Sequence, residues 1–152
     1  MTHWIVVGSR ENFEIARERG FDLFGFKSTR RRESAEMKPG DKLIFYLTGV
    51  MKFGGVANVA SEVYEDHSPV FKSEKKPGED YPFRVKTAPD RVLEPEQWLD
   101  VKDYATRLEL TRRRGEHWRL AFQGNLHKIS EEDYRTISAD VDAVSRAVAA
   151  AR

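Results

Sequence analysis

An unbroken apolar run, Trp4-Ile5-Val6-Val7, stops at Gly8 and gives way at once to Ser9, Arg10, Glu11 and Asn12, and this junction constrains the chain more than any other feature. The β-branched residues favour a strand. Ser9 carries the kind of side chain that accepts from a free amide at a helix N-terminus. A strand that ends where a helix begins gathers polar atoms at one point, a common way to build the floor of a ligand site. The helix is expected to run to about Arg19, with Phe13 and Ala16 on its buried face and Gly20 as its terminator.

Further along, Phe21 to Phe26 is a short apolar piece, and Thr29 to Met37 is a charged, helix-prone segment. Pro39 and Gly40, between Lys38 and Asp41, signal a type II turn. Leu43 to Leu47 reads as a buried strand, joined through a hairpin over Thr48 to Gly55 to an alternating strand over Val56 to Tyr64. The charged loop Lys72 to Asp80 contains Pro77 and Gly78 and is long enough to serve as a lid or rim, after which Phe83 to Ala88 alternates again. Pro95 to Leu99 and Val101 to Leu110 predict short helical pieces, and Trp118 to Phe122 a last strand. Ser130 onward predicts a terminal helix with an alanine-rich tail, its first turn carrying Glu131, Glu132 and Asp133 to complement the free amides. Mixed strands with few helices place the chain in the α+β class, as a small curved mixed sheet or barrel with peripheral helices.

A chain of 152 residues suits one domain, large enough to bury a core without metal or disulfide help. Charged residues at 34% against 39% hydrophobic describe a folded protein with a solvated surface and exclude a disordered one. No stretch is apolar enough to span a bilayer, no basic-then-apolar leader opens the chain, and there is no cysteine, so a cytoplasmic location without membrane attachment is expected. The net charge of +1 excludes a polycation that coats nucleic acid indiscriminately. Local basic runs remain: Lys27 with Arg30, Arg31 and Arg32; Lys72, Lys75 and Lys76; and Arg112, Arg113 and Arg114.

Several motifs occur in an order that resembles the EVE domain. They are the strand into Ser9, Glu11 and Asn12, the turn Lys38-Pro39-Gly40-Asp41, and the hairpin Phe45-Tyr46-Leu47-Thr48-Gly49 with Phe53 and Gly54. Tyr81-Pro82-Phe83-Arg84-Val85 and then Trp118, Ala121, Phe122, Gln123, Gly124, Asn125 and Leu126 follow. The resemblance runs from about Trp4 to Tyr134, and residues 1–152 are read as a single such domain with a helical tail from about 130. It implies a PUA-like pseudo-barrel related to the YTH readers of methylated adenine, and hence a non-catalytic binder of a modified base in DNA or RNA. Members of the family often accompany restriction or modification systems, and some recognise modified cytosine. A separately encoded nuclease or processing enzyme is the implied partner.

A modified base inside a duplex is reachable only when flipped out, at a cost of a few kcal/mol. Aromatic stacking returns about 1 to 3 kcal/mol per base, and hydrogen bonds to the polar edge discriminate. The base-binding candidates are Ser9, Asn12, Phe24, Phe26, Thr48, Phe53, Phe71, Tyr81, Pro82 and Gln123. Each has a plainer reading beside this one. Ser9 can simply cap the helix, Asn12 can satisfy a local backbone group, and Phe53, expected at the hairpin tip, can fold back over the sheet. Phe24 and Phe26 compete for one stacking position, and Phe71 resembles a cage aromatic of the YTH relatives. Phosphate contact falls to Lys27, Ser28, Arg30, Arg31 and Arg84, against core packing or a surface ion pair for Arg84 and for Tyr46. Trp4, Trp98 and Trp118 read as core.

Enzymatic readings find little support. His3, His67, His117 and His127 are scattered without ligand spacing, so neither a metal nor another cofactor is expected. Gly49, Gly54 and Gly55 precede no Gly-Lys-Ser or Gly-Lys-Thr, and no nucleophile elbow occurs. The alternative to a base reader is a binder of a small molecule or nucleobase metabolite, or a weak enzyme acting on one.

Overall fold

The computed structural model describes residues 1–151; Arg152, the end of the expected tail, lies outside the described residues. Its elements run β1 (His3–Gly8), α1 (Arg10–Glu18), β2 (Leu23–Phe26), a 3-10 turn (Ser28–Arg30) leading into α2 (Arg31–Ser34), β3 (Lys42–Leu47) and β4 (Lys52–Val59). They continue through β5 (Tyr64–Glu65), β6 (Phe83–Val92), β7 (Leu99–Asp100), a 3-10 helix (Gly115–Phe122), β8 (Leu126–Ile129) and α3 (Glu131–Ala151). One curled mixed sheet takes the order β2-β6-β4-β3-β1-β8, with β5 beside β6 and β7 beside β4. β1 and β3 are parallel and the remaining pairs antiparallel.

The curl has a local cause. Register shifts interrupt β3–β4 at Phe45/Tyr46 and β4–β6 at Val56/Ala57. Gly55 takes φ +141°, and a Cβ there would collide with the Arg91 carbonyl, so only glycine permits the two strands to cross this closely. Strand alternation then sorts the side chains. Trp4, Val6, Leu43, Phe45 and Leu47 join an inner core with α1 and β2, while Ile5, Ile44 and Tyr46 join an outer core covered by α3 and the 3-10 helix. Buried Asp41 knits the turn before β3 to the first strand, accepting from the amides of Thr2 and Lys38 and from Trp4 Nε1 at 2.9, 3.0 and 3.0 Å.

The 38–41 turn forms as expected, with Asp41 N–H bonded to Lys38 O and Gly40 at φ +94°. The hairpin is displaced from its expected place. Gly49 (φ +85°) and Met51 (φ +56°) make the tip, so β4 begins at Lys52 and ends at Val59, short of Tyr64. Trp118–Phe122 is helical and not a strand, because its buried residues Trp118, Ala121 and Phe122 fall at helical intervals and leave Leu120 outside. The last strand is instead β8. No helix among the described residues is long and apolar enough to cross a membrane.

Candidate nucleic-acid interface

The β1–α1 junction delivers the first polar atoms. Ser9 is extended (φ −74°, ψ +159°) and its Oγ accepts from the Asn12 amide at 3.0 Å, so it caps α1. Its hydroxyl proton remains free to donate. The helix closes with a Schellman pair, Phe21 N–H to Ala16 O and Gly20 N–H to Arg17 O, with Gly20 at φ +70°. The cap also fixes Asn12. Its Nδ2 donates to Lys72 O at 2.8 Å and its Oδ1 accepts from Lys72 N–H at 2.9 Å, which ties the irregular segment 66–82 down over the first turn of α1. Both ends of that amide are thus engaged by backbone.

Arg84 holds the other end of the same segment. Its side chain is 1% exposed; Nε donates to Tyr81 O at 3.1 Å, Nη1 to Ser68 Oγ at 2.8 Å and Nη2 to Asp80 O at 3.1 Å. Tyr81 sits there at φ +51°, a conformation that non-glycine residues adopt only when their surroundings enforce it. Opposite it, Gly25 lets β2 pass, since a Cβ would stand 2.8 Å from Tyr81 O. Burial raises the pKa of the Tyr81 hydroxyl, which lies beside the Ser73 and Asn12 side chains.

Between the segment and the sheet is a narrow apolar slot of about 30 Å³, reached by Val7, Gly8, Ser9, Asn12, Phe24, Phe71, Tyr81 and Asn125. Phe24 stacks between Phe45 (4.7 Å) and Phe71 (6.3 Å), and Phe71 meets Tyr81 edge-on at 6.2 Å. The slot opens into a cleft of about 740 Å³ that shares Val7, Gly8, Ser9, Tyr46 and Tyr81 with it. In the cleft wall Arg10, Lys27, Lys72, Lys75 and Arg119 outnumber Glu11 and Glu74. None of those cations has an ion-pair partner among the described residues. A near-neutral chain therefore concentrates positive charge at one opening.

Thr48 and Gln123 stand on the cleft rim. The structure moves the other candidates elsewhere. Phe53 is fully buried in the outer core, edge-on to Tyr104 and Phe122, because the tip turns before it. Phe26 and Pro82 are buried and reach neither the slot nor the cleft; of the two competing phenylalanines, Phe24 faces the slot. Arg84 is spent on carbonyls and cannot meet a phosphate. Ser28 donates its amide and hydroxyl to the Glu79 carboxylate at 3.0 and 2.8 Å, so an anion already occupies its donors. The Arg30 guanidinium packs on Gly124, Nη1 3.8 Å from Glu33 and Nε buried without a partner, and Arg31 lies 6.0 Å from the Phe83 ring. Lys27 alone of the first basic run lines the cleft.

Two residues of the sequence motifs that are not among the base-binding candidates also line the slot. Asn125, 2% exposed, donates from Nδ2 to Val7 O at 2.8 Å and accepts at Oδ1 from Lys27 N–H at 2.9 Å, so one amide joins the end of β1 to the segment after β2. Its position after Gly124 was the available signal. Tyr46 stacks flat on Phe122 (4.4 Å, 7°) and borders both cavities; burial raises its pKa against the opposing effect of Arg119.

The chain is similar to UPF0310 protein PH1033 of Pyrococcus horikoshii, 30% identical over an alignment 147 residues long that covers 90% of this chain and 97% of the relative. Its fold matches the structure of human THYN1 protein in complex with 5-methylcytosine-containing DNA, with TM-score 0.59 and 12% identity over 93% of this chain and 98% of that one. It also matches an Mmi1 YTH domain in complex with RNA, with TM-score 0.62 and 12% identity over 95% of this chain and 80% of that one. The profile of the EVE domain covers residues 2–139, and the chain belongs to the EVE domain family.

Proposed function

We propose that the chain is a non-catalytic nucleic-acid binding module that reads a modified base at the mouth of the aromatic slot, with the cleft cations on the flanking phosphates. The observation that carries this reading is the junction of the two cavities: Phe24 stacked on Phe71, with Tyr81 edge-on to it, opening directly into a wall of unpaired cations. Apolar walls with few polar groups suit a planar base, and free cations suit the strand that bears it. The THYN1 complex with methylated DNA and the Mmi1 complex with RNA support it through their shared fold.

At about 30 Å³ the slot has room for about two waters and not for a base. The base is therefore admitted as segment 66–82 gives way, and Ser9 donates its free hydroxyl proton to the base edge. Asn12 acts through the segment rather than on the base. Recognition is the whole task of this module, and a separately encoded nuclease or processing enzyme acts on the result.

Titration with oligonucleotides carrying 5-methylcytosine, 5-hydroxymethylcytosine or methylated adenine tests this. One of them is expected to bind more tightly than its unmodified control, and the logarithm of affinity to fall by about 0.7 to 0.9 per phosphate contact for each tenfold rise in salt. Ser9→Gly, which keeps the helix start within a few tenths of a kcal/mol, is expected to erode the preference for modification. Equal binding of all oligonucleotides would overturn the reading. Tight binding of a free nucleoside without a salt slope would return the metabolite binder.

A further inference from the structure

Val50 and Leu120 are, with Met1, the exposed large hydrophobic side chains of the described residues, at 37% and 47%. Their chain neighbours meet at the cleft. Val50 lies between the cleft residues Gly49 and Met51, Leu120 follows the cleft residue Arg119, and Arg119 Nε reaches Met51 Sδ at 3.2 Å. The β3–β4 tip that presents Val50 is itself held out of the ordinary conformations, Gly49 at φ +85° and Met51 at φ +56°.

Cations outnumber carboxylates around this pair, Glu116 being the acidic residue of the helix that carries Leu120. Arg112, Arg113 and Arg114 lead into the 3-10 helix that carries Leu120; they are exposed, and neither they nor Arg119 find a carboxylate within ion-pair distance among the described residues. An apolar pair framed by unpaired guanidinium groups is poorly matched to solvent. It is matched to a base stack edged by phosphates, where apolar side chains enter between base steps.

We infer that Val50 and Leu120 form a wedge that enters a duplex beside the base taken into the slot, so that the preferred ligand of this chain is double-stranded. This rests on the base-reading function proposed above and narrows its substrate class. Removing a base from a helix leaves its neighbours unstacked and its partner unpaired. A wedge on the rim of the receiving cleft covers the exposed faces in the same event, and Arg112 to Arg114 hold the backbone on the far side of the insertion.

The test compares the wild type with the double variant Val50→Ser, Leu120→Ser on three probes. They are a duplex with the modified base paired, the same duplex with that base opposite an abasic site, and the modified strand alone, each prepared with 5-methylcytosine, 5-hydroxymethylcytosine or N6-methyladenine. Both residues are exposed, so the variant folds, which its thermal melt verifies. The variant is expected to lose about tenfold on the paired duplex, the ratio set by burying about one aliphatic side chain, less opposite the abasic site, and nothing on the single strand. Equal loss on all three probes, or none on the paired duplex, overturns the wedge while the base reading stands. A wild type indifferent to modification on every probe overturns both.

Discussion

The two faces of this sheet are closed by opposite means. On the outer face Trp118, Phe122, Tyr134, Ile137 and Val141 bury against Ile5, Ile44 and Phe53. On the inner face, at the end that holds the slot, the cover is an irregular segment tied by Asn12 to Lys72, by Arg84 to the carbonyls of Tyr81 and Asp80, and by Glu79 to Ser28. Apolar burial strengthens with area and gives way all at once, at about 25 cal/mol per Å². A hydrogen bond contributes about 0.5 to 1.5 kcal/mol and can be exchanged singly for water. One face is a frame, and the other is a cover that buries Phe71 and Tyr81 and is held in place by these hydrogen bonds.

Phe53→Ala probes the frame and is expected to have the largest effect, about 3 to 5 kcal/mol of stability lost in urea titration, since the ring is fully buried among Tyr46, Tyr104 and Phe122. The folded fraction should bind nucleic acid with unchanged affinity; a parallel loss of affinity would merge the two faces into one unit. Arg84→Met probes the cover. It leaves the Tyr81 and Asp80 carbonyls without their donor, about 1 to 3 kcal/mol, and hydrogen exchange should quicken across 66–82 while α3 stays protected.

The smallest effect concerns His67, whose Nε2 lies 2.8 Å from Glu65 and Nδ1 2.7 Å from Asp80. Only the protonated ring donates to both. Bonds to Glu65 and then Asp80 raise its pKa above 6.5. With the folded value the higher, this tie is complete below pH 6.5 and is lost as the pH rises through the raised value. Amide exchange in 66–82 should quicken over that interval, and His67→Gln should remove the response. A flat profile in the wild type would take His67 out of the cover.

The frame was largely legible in the sequence; of the cover, the loop Lys72 to Asp80 was legible as a lid or rim but the ties that hold it were not. Val6 and Ile5, or Phe45 and Ile44, declare opposite faces by alternation, and Ser9, Gly20 and Pro39-Gly40 mark turns by local chemistry. Family resemblance brought Ser9, Phe24, Phe71 and Tyr81 forward, and they meet at the slot. The misplaced residues have long-range causes. Phe53 was set by a tip at Gly49 to Met51 that turns before it, Arg84 by carbonyls on a folded-back segment, and Ser28 by a carboxylate at Glu79. Leu120 interrupts an apolar stretch that reads equally well as a strand until burial separates Trp118, Ala121 and Phe122 from it.

Asn125 has a bearing on biosynthesis. Its amide joins Val7 and Lys27, residues 118 and 98 positions earlier, and β1 finds its second neighbour only in β8. Contacts of such separation form late, after the shorter loops have closed. A nascent chain can pair β3 with β4 while still attached to the ribosome, yet the floor of the slot stays unfinished until Ile129 has emerged. Fragments released early therefore carry the basic segments without a finished slot.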